Sequence, residues 1–259
     1  MNDALHSIPP TEIRQLEALG ADAWPASEVQ HVDGWRLGLS VGVSRRANSL
    51  LPIEPLTGRR LEDAIDEVEW RYASHGLTPC FKMTAAALPA ELSAALDRRG
   101  YSVEQHSQVL TADAAAVAAH DDGSHGVHLI DAPEAHWAAI CWPADGDGKE
   151  AAGRFAIAKR LPEPRVFALA QLSGNAGGAG LAVAQGDWAC LGAIHVLPAF
   201  RRRGLAKAIV TALAAWAVAR SVQRLYLQVQ FSNALARRLY DGLGFHFAYA
   251  YHYRMRNRR

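Results

Sequence analysis

The sequence predicts an α/β (α+β) chain of two packed units in tandem, each a mixed, mostly antiparallel twisted sheet flanked by helices. Three observations carry this. An apolar, β-rich run from Ala189 to Leu197 stops at Pro198, and after a short basic turn an apolar pattern of helical period begins at Leu205. The order helix, strand, helix, strand also occurs twice. Placing Gly100-Tyr101 on Gly244-Phe245 (244 − 100 = 144 positions) brings Leu61 onto Leu205, Tyr72 onto Trp216, the Cys80–Met83 run onto Arg224–Leu227 and Asp97 onto Asp241, without a gap. Between the two copies, residues 111–126 turn rich in Ala, Asp, His and Gly, as a boundary does. The expected division is therefore residues 1–115, a linker at 116–126, and 127–259.

Along the chain, Ile13, Leu16 and Leu19 after Pro9-Pro10 give a short helix over 11–19, with Thr11 as cap and Gly20 as stop. Residues 29–32, Asp33-Gly34 and 35–39 form a hairpin, since Asp-Gly supplies the positive φ angles of a tight two-residue turn. A strand follows over about 47–53. Leu61, Ile65, Val68 and Tyr72 have helical spacing and end at Gly76. Strand 80–83, helix 90–99 and strand 101–110 complete the first copy. The second restarts with a strand at 127–130 and a helix from Pro133, whose ring suits a first turn. Residues 142–161 read as loop then helix, 165–172 and 180–184 as strands around a flexible glycine-rich connection at 173–178. That connection lacks both Gly-x-Gly-x-x-Gly and a following Gly-Lys-Ser/Thr, so it is no nucleotide loop. Helix 205–219 carries the stripe Leu205, Ala208, Ile209, Ala212, Leu213 and Trp216. Strand 224–230, helix 233–242 and a β-rich end from Phe245 to Met255 close the chain.

Composition excludes several classes. With 27 basic against 26 acidic residues among 259, no global field favours nucleic acid, and Arg201–Arg203 come without interleaved stacking aromatics. The terminal Arg254, Arg256, Arg258 and Arg259 read as a solvated charge run. No apolar run reaches membrane-spanning length and Met1 to Pro10 has no signal-peptide pattern, so a cytoplasmic location is expected. Cys80, Cys141 and Cys190 are far apart and never in a Cys-x-x-Cys pair, so neither disulfides nor a metal site is expected. Nothing in the sequence marks an oligomeric state.

The residues with chemical meaning surround Gly204. Glycine there lets a ligand approach the backbone, Ala206 keeps the next approach open, and Arg201, Arg202 and Arg203 add positive charge where the first helical N–H groups lack partners. Such a turn suits an anion such as a pyrophosphate. Val196 to Ala206, with Asn233, Ala236, Tyr240, Gly244 and Phe245, resembles the GNAT acyl-CoA N-acyltransferase superfamily, specifically over about residues 188–247. The whole chain then resembles a tandem GNAT protein whose first copy is degenerate. Opposite Gly204, Asn233 and Tyr240 stand Arg60, Pro89 and Leu96, so the first copy lacks the cradle, the amide and the hydroxyl. Asp33-Gly34-Trp35 and Arg45 to Ser49 likewise resemble the N-terminal half of a bacterial two-domain GNAT group.

The resemblance implies acetyl-CoA as co-substrate, a primary amine of a small molecule, amino acid or peptide as acceptor, and direct attack in a ternary complex, with no metal. It assigns the pantetheine arm to backbone groups of Ile194 and Val196, and the pyrophosphate to the N–H groups of Arg202, Arg203, Gly204, Leu205, Ala206 and Lys207. Asn233 would hydrogen-bond the pantetheine side, and Tyr240 would be the general acid toward the departing thiolate. Asn233 and Tyr240 are seven apart, two helical turns, on one face. Tyr240 as a core aromatic and Asn233 as an N-cap are the plainer roles for the same residues. The general base stays open among His195, Glu163, Asp187, His136 and a water chain. Trp137, Trp142 and Phe155 offer either an acceptor-pocket lining or ordinary core. A non-catalytic acyl-CoA-binding sensor or interaction module is the alternative to an enzyme.

Overall fold

The computed structural model describes residues 7–143 and 148–256. Arg258 and Arg259, and residues 144–147 of the expected loop, lie outside the described residues. Two compact units emerge, one of residues up to Gln108 together with those from Ala248 onward, the other Val109–Phe247.

In the first unit come α1 (Pro10–Ala23), the hairpin β1 (Glu28–Val32) and β2 (Trp35–Leu39), the short β3 (Leu50–Leu51), α2 (Leu61–Ser74), β4 (Cys80–Thr84) and α3 (Leu92–Arg98). Strand β5 (Ser102–Asp113) leads into the second unit, which holds α4 (Ala114–Ala118), β6 (Val127–Ile130), α5 (Ala135–Cys141), α6 (Lys149–Ala158), β7 (Arg165–Leu172) and β8 (Asn175–Gln185). There follow β9 (Trp188–Val196), α7 (Leu205–Val218), β10 (Arg224–Gln230) and α8 (Ala234–Gly242), before β11 (His246–Met255) ends the described chain. Within each unit the strand pairings are mixed and mostly antiparallel. In each, one parallel pair is bridged by a crossover helix: β3 with β4 through α2, and β9 with β10 through α7. The repeat is exact in register at several points, since α2 begins at Leu61 and ends at Ser74 where α7 begins at Leu205 and ends at Val218.

The contiguous division at 116–126 differs from the observed one, for two reasons of packing. Strand β11 pairs antiparallel with β4, Tyr251 opposite Thr84 through Met255 opposite Cys80, which places the last strand in the first unit. Leu110, Ala114 and Val117 meanwhile join the core of the second unit. The first unit thus takes its β11 strand from the far end of the chain, while the second is one contiguous stretch.

Other elements differ from expectation in instructive ways. Helix α1 runs through Gly20, which is buried, so the missing side chain serves packing rather than a stop. In the hairpin only Asp33 takes a positive φ, 54°, and its carboxylate accepts from Thr57 N–H (2.7 Å), Thr57 Oγ1 (2.8 Å) and Gly58 N–H (3.0 Å). Gly34 is needed for room instead, because a Cβ there would lie 2.4 Å from the Pro55 carbonyl. Of the terminal arginines, the two among the described residues are paired rather than simply solvated: Arg254 is buried and paired with Asp97, and Arg256 reaches Glu69 at 2.9 Å. All three cysteines are free and buried. Among the described residues no helix is long and apolar enough to cross a membrane.

The first unit's core gathers Trp35, Leu37, Ile65, Val68, Tyr72 and Phe81. Its equivalent of the cradle carries acid, with Glu62 and Asp63 in the first turn of α2 and an extended Arg60 as cap. That turn places two carboxylates where the start of α7 has Ala206 and Lys207.

Candidate active site

The site is built on β9. Its ladder with β10 runs from Arg224 opposite Trp188 to Leu227 opposite Leu191, although β9 continues to Val196 and β10 to Gln230. Beyond Leu191 the two parallel strands part, and the β9 edge from Gly192 to Val196 offers backbone groups to a ligand. The parting starts at a bulge. Ala193 has φ 51°, and the register with β8 shifts between Ala179 and Leu181.

The bulge resets which side chains face α7. Ala189 and Leu191 belong to the core under α7, and after the bulge Ile194 and Val196 pack against that same core. His195 pairs with Ala179 and faces the other way, toward the side where Trp137 of α5 lies edge-on to Phe167 and donates Nε1–H to Gly180 C=O at 3.0 Å. Cys141 at the end of α5 donates its Sγ–H to the Ala193 carbonyl at 3.2 Å.

The glycines expected to make a flexible connection are mostly in β8. Only Ser173 and Gly174 form the turn, both with positive φ. Gly177 lies under Phe200, so close that a Cβ would come 2.2 Å from its ring, and Gly178 and Gly180 give way to Ile209 of α7. Glycine here is a packing device that seats the turn leading to α7. Gly177→Ala is expected to lower the melting temperature, which thermal melts of the two proteins check.

In the cradle, Arg202 (φ 61°) and Gly204 (φ 84°) both adopt left-handed backbone, which turns the chain sharply into α7. The first i→i−4 bond of α7 runs from Ala208 N–H to Gly204 C=O at 3.0 Å, so the N–H groups of Leu205, Ala206 and Lys207 precede the helical ladder. Arg201 Nε–H donates to Val196 C=O at 3.1 Å and ties the turn to the end of β9. The Val196 carbonyl is therefore already engaged.

On α8, Asn233 is the N-cap, with Oδ1 accepting from Ala236 N–H at 3.2 Å. It sits just outside the helix, so its relation to Tyr240 comes from capping rather than from a shared helical face. Its Nδ2 donors are not used by the cap. Tyr240 is buried, its ring edge-on to Phe245 with centroids 5.6 Å apart. Burial pushes its phenol up to about 12, so the proton stays on Oη at neutral pH.

The base candidates separate by position along the strands. Arg165 opposite Val183 and the turn at Gln185–Trp188 mark one end of the sheet, and Val196 marks the other. Glu163 and Asp187 lie at the first end, roughly 25 Å from the Val196 end at about 3.3 Å per residue. His136 is exposed on α5 and lies 3.1 Å from Glu134. His195 alone among the four is on β9 itself, beside the parted edge. Burial first, and the Arg201 charge second, hold its imidazole below the usual histidine value. Trp137 is fully buried core rather than pocket lining, while Trp142 and Phe155 keep partial exposure. Among the described residues no group of three or more His, Cys, Asp or Glu could hold a metal ion.

Comparison with known proteins agrees with this geometry. A family model described as "Probable histone acetyltransferase Rv0428c C-terminal" matches residues 10–256. The chain is 26% identical over 247 residues to an uncharacterized N-acetyltransferase, YobR, of Bacillus subtilis, covering 95% of this chain and 99% of that protein. It is 31% identical over 125 residues to the probable histone acetyltransferase Rv0428c of Mycobacterium tuberculosis, covering 48% of this chain and 37% of that protein. Among solved structures, a GCN5-related N-acetyltransferase from Kribbella flavida aligns with TM-score 0.70 at 16% identity over 96% of both chains. A tandem GNAT protein from the clavulanic acid biosynthesis pathway aligns with TM-score 0.62 at 14% identity, over 93% of this chain and 87% of that one. Matched over nearly its whole length by that model and sharing the fold of these structures, the chain belongs to the Rv0428c C-terminal family of GNAT-type acetyltransferases.

Proposed function

We propose that the second unit is an acetyl-CoA-dependent N-acetyltransferase that acetylates a primary amine of a small molecule, amino acid or peptide by direct attack in a ternary complex. The observation that carries this reading is the parting of β9 from β10 beyond Leu191, directly beside the left-handed turn that opens α7. Gly204 supports the reading, since its φ of 84° favours glycine and leaves the turn's N–H groups without a Cβ beside them.

Bound acetyl-CoA would supply the acetyl group as a thioester. Backbone groups of Ile194 and Val196 would align the pantetheine arm along the free edge of β9, with the Val196 N–H rather than its carbonyl as the open group. The N–H groups of Arg202 to Lys207 would hold the pyrophosphate at the positive end of α7. Asn233 would donate from Nδ2 to the pantetheine while Oδ1 keeps the cap. Tyr240 Oη, protonated and buried, would give its proton to the departing sulfur. His195 would take the proton of the amine, because burial first and the Arg201 charge second favour its neutral form.

The sign of the pH effect follows. A base must be deprotonated, so kcat/KM falls as pH drops through the His195 pKa, and that acid limb lies below the usual imidazole value. Arg201→Ala removes one depressing charge and moves the limb to higher pH, which a pH–rate profile of both proteins reads directly. The reading itself is tested by following coenzyme A thiol release from acetyl-CoA against a panel of amines, free amino acids and peptide N-termini. Turnover with any of them supports it. Tight acetyl-CoA binding with no release against the whole panel favours a binding module.

A further inference from the structure

The loop between α4 and β6, read from the sequence as a linker, is built onto the start of α7. Asp122 Oδ2 accepts from Lys207 Nζ at 2.7 Å, and Asp122 Oδ1 accepts from the Ser124 N–H at 3.0 Å. Ser124 Oγ lies 2.6 Å from His125 Nδ1. The His125 ring stands over Gly204, with Cε1 3.0 Å and Nε2 3.6 Å from where a Cβ would sit. The chain of contacts thus runs from Lys207 through Asp122, Ser124 and His125 back to Gly204, both ends lying in the cradle. Lys207 first, then Ser124, holds the Asp122 carboxyl well below the usual carboxylate range, so it remains the anionic partner of Lys207.

This arrangement is not what a passing linker needs. A free acid near a helix start would sit on the N–H groups themselves. Here the acid is drawn aside onto Lys207, and the group placed on the glycine of the cradle is an imidazole that can donate and carry positive charge. With Nδ1 engaged by Ser124, Nε2 is the ring nitrogen left to meet a ligand beside Gly204.

We propose that His125 is a phosphate-contacting residue of the acyl-CoA site, its Nε2–H donating to a diphosphate oxygen held by the start of α7, with Asp122 as the positioning residue that fixes Lys207 and, through Ser124, the ring. The inference rests on the acyl-CoA reading above. It makes the segment between the two halves part of the cofactor site and gives the site a preference for donors that carry a diphosphate.

The test is calorimetric titration of 3′-dephospho-coenzyme A into the full chain as wild type, His125→Ala and His125→Arg. This probe keeps the diphosphate and lacks the 3′-phosphate, so a loss of affinity reads on the diphosphate contact. Loss of one hydrogen bond to a charged oxygen predicts about 5- to 30-fold weaker binding by His125→Ala. His125→Arg should retain binding. Equal affinity of His125→Ala and wild type overturns the assignment. Failure of folded wild type to bind at all instead defeats the acyl-CoA reading on which it rests.

Discussion

Replacing Tyr240 by Phe is expected to lower kcat for thiol release about 100- to 1,000-fold, the loss of one positioned acid. The substitution removes only Oη. The ring that packs against Phe245 in the core of the second unit stays, so the melting temperature and acetyl-CoA affinity should change little. The phenol, raised to about 12 by burial, is a reservoir of one proton that water does not reach easily. Initial rates at saturating substrate, set beside a thermal melt, check the split. Full activity in Tyr240→Phe would leave the tyrosine as a core aromatic and nothing more.

The second large effect belongs to the first unit. Lys82 is 4% and Glu17 1% exposed, and Nζ lies 2.7 Å from Oε2. Tyr249 Oη–H donates to Glu17 Oε1 at 2.8 Å, and the ammonium stands 4.0 Å over the Tyr251 ring. Lys82→Ala leaves a buried carboxylate without its counter-charge and should destabilise the protein by about 3–5 kcal/mol. Removing both charges, as Lys82→Met with Glu17→Gln, should recover a large part of that loss. Urea denaturation of the three proteins measures it, and a Lys82→Ala cost below about 1 kcal/mol would contradict the account. Because β11 carries both tyrosines, the same cluster of four fastens the end of the described chain into the first unit.

That cluster shows where the sequence ceases to be legible. Helical and strand periods record local burial, and so α2, α7, β7 and β10 are placed by them to within a residue or two. The cradle could be read because its chemistry is contiguous, with Arg201 to Ala206 in a single turn. Long-range pairings leave no such mark. Nothing about Glu17 or Lys82 alone announces a buried pair, and the pattern at 245–255 is equally consistent with pairing to either half. The bulge at Ala193 is silent for a different reason: a positive φ usually recruits glycine, and alanine is held there by the strands around it. Glycines 177, 178 and 180 carry a signal that points two ways, toward flexibility or toward close packing, and only the presence of Phe200 and Ile209 above them decides. His125 lies in a stretch whose composition is that of a linker, and its place over Gly204 arises from the path of the chain past α7.

The degenerate first half is explained in the same terms. It has the crossover helix and the parallel pair, which its core requires, and lacks the residues proposed to hold a ligand in the second half. Acid stands in the first turn of α2, and Leu96 is buried where the second half has Tyr240. Folding and binding thus separate along one architecture.

We propose that the turn at Gly204 holds the phosphates of an acyl-CoA. Calorimetric titration of acetyl-CoA into wild type and Gly204→Glu tests it most directly, because the variant forces a side chain into left-handed backbone, against His125, and adds negative charge at the anion site. The account predicts micromolar-range binding by wild type and none by a variant that melts cooperatively. Binding by both proteins with equal affinity, or by neither when both are folded, would contradict it.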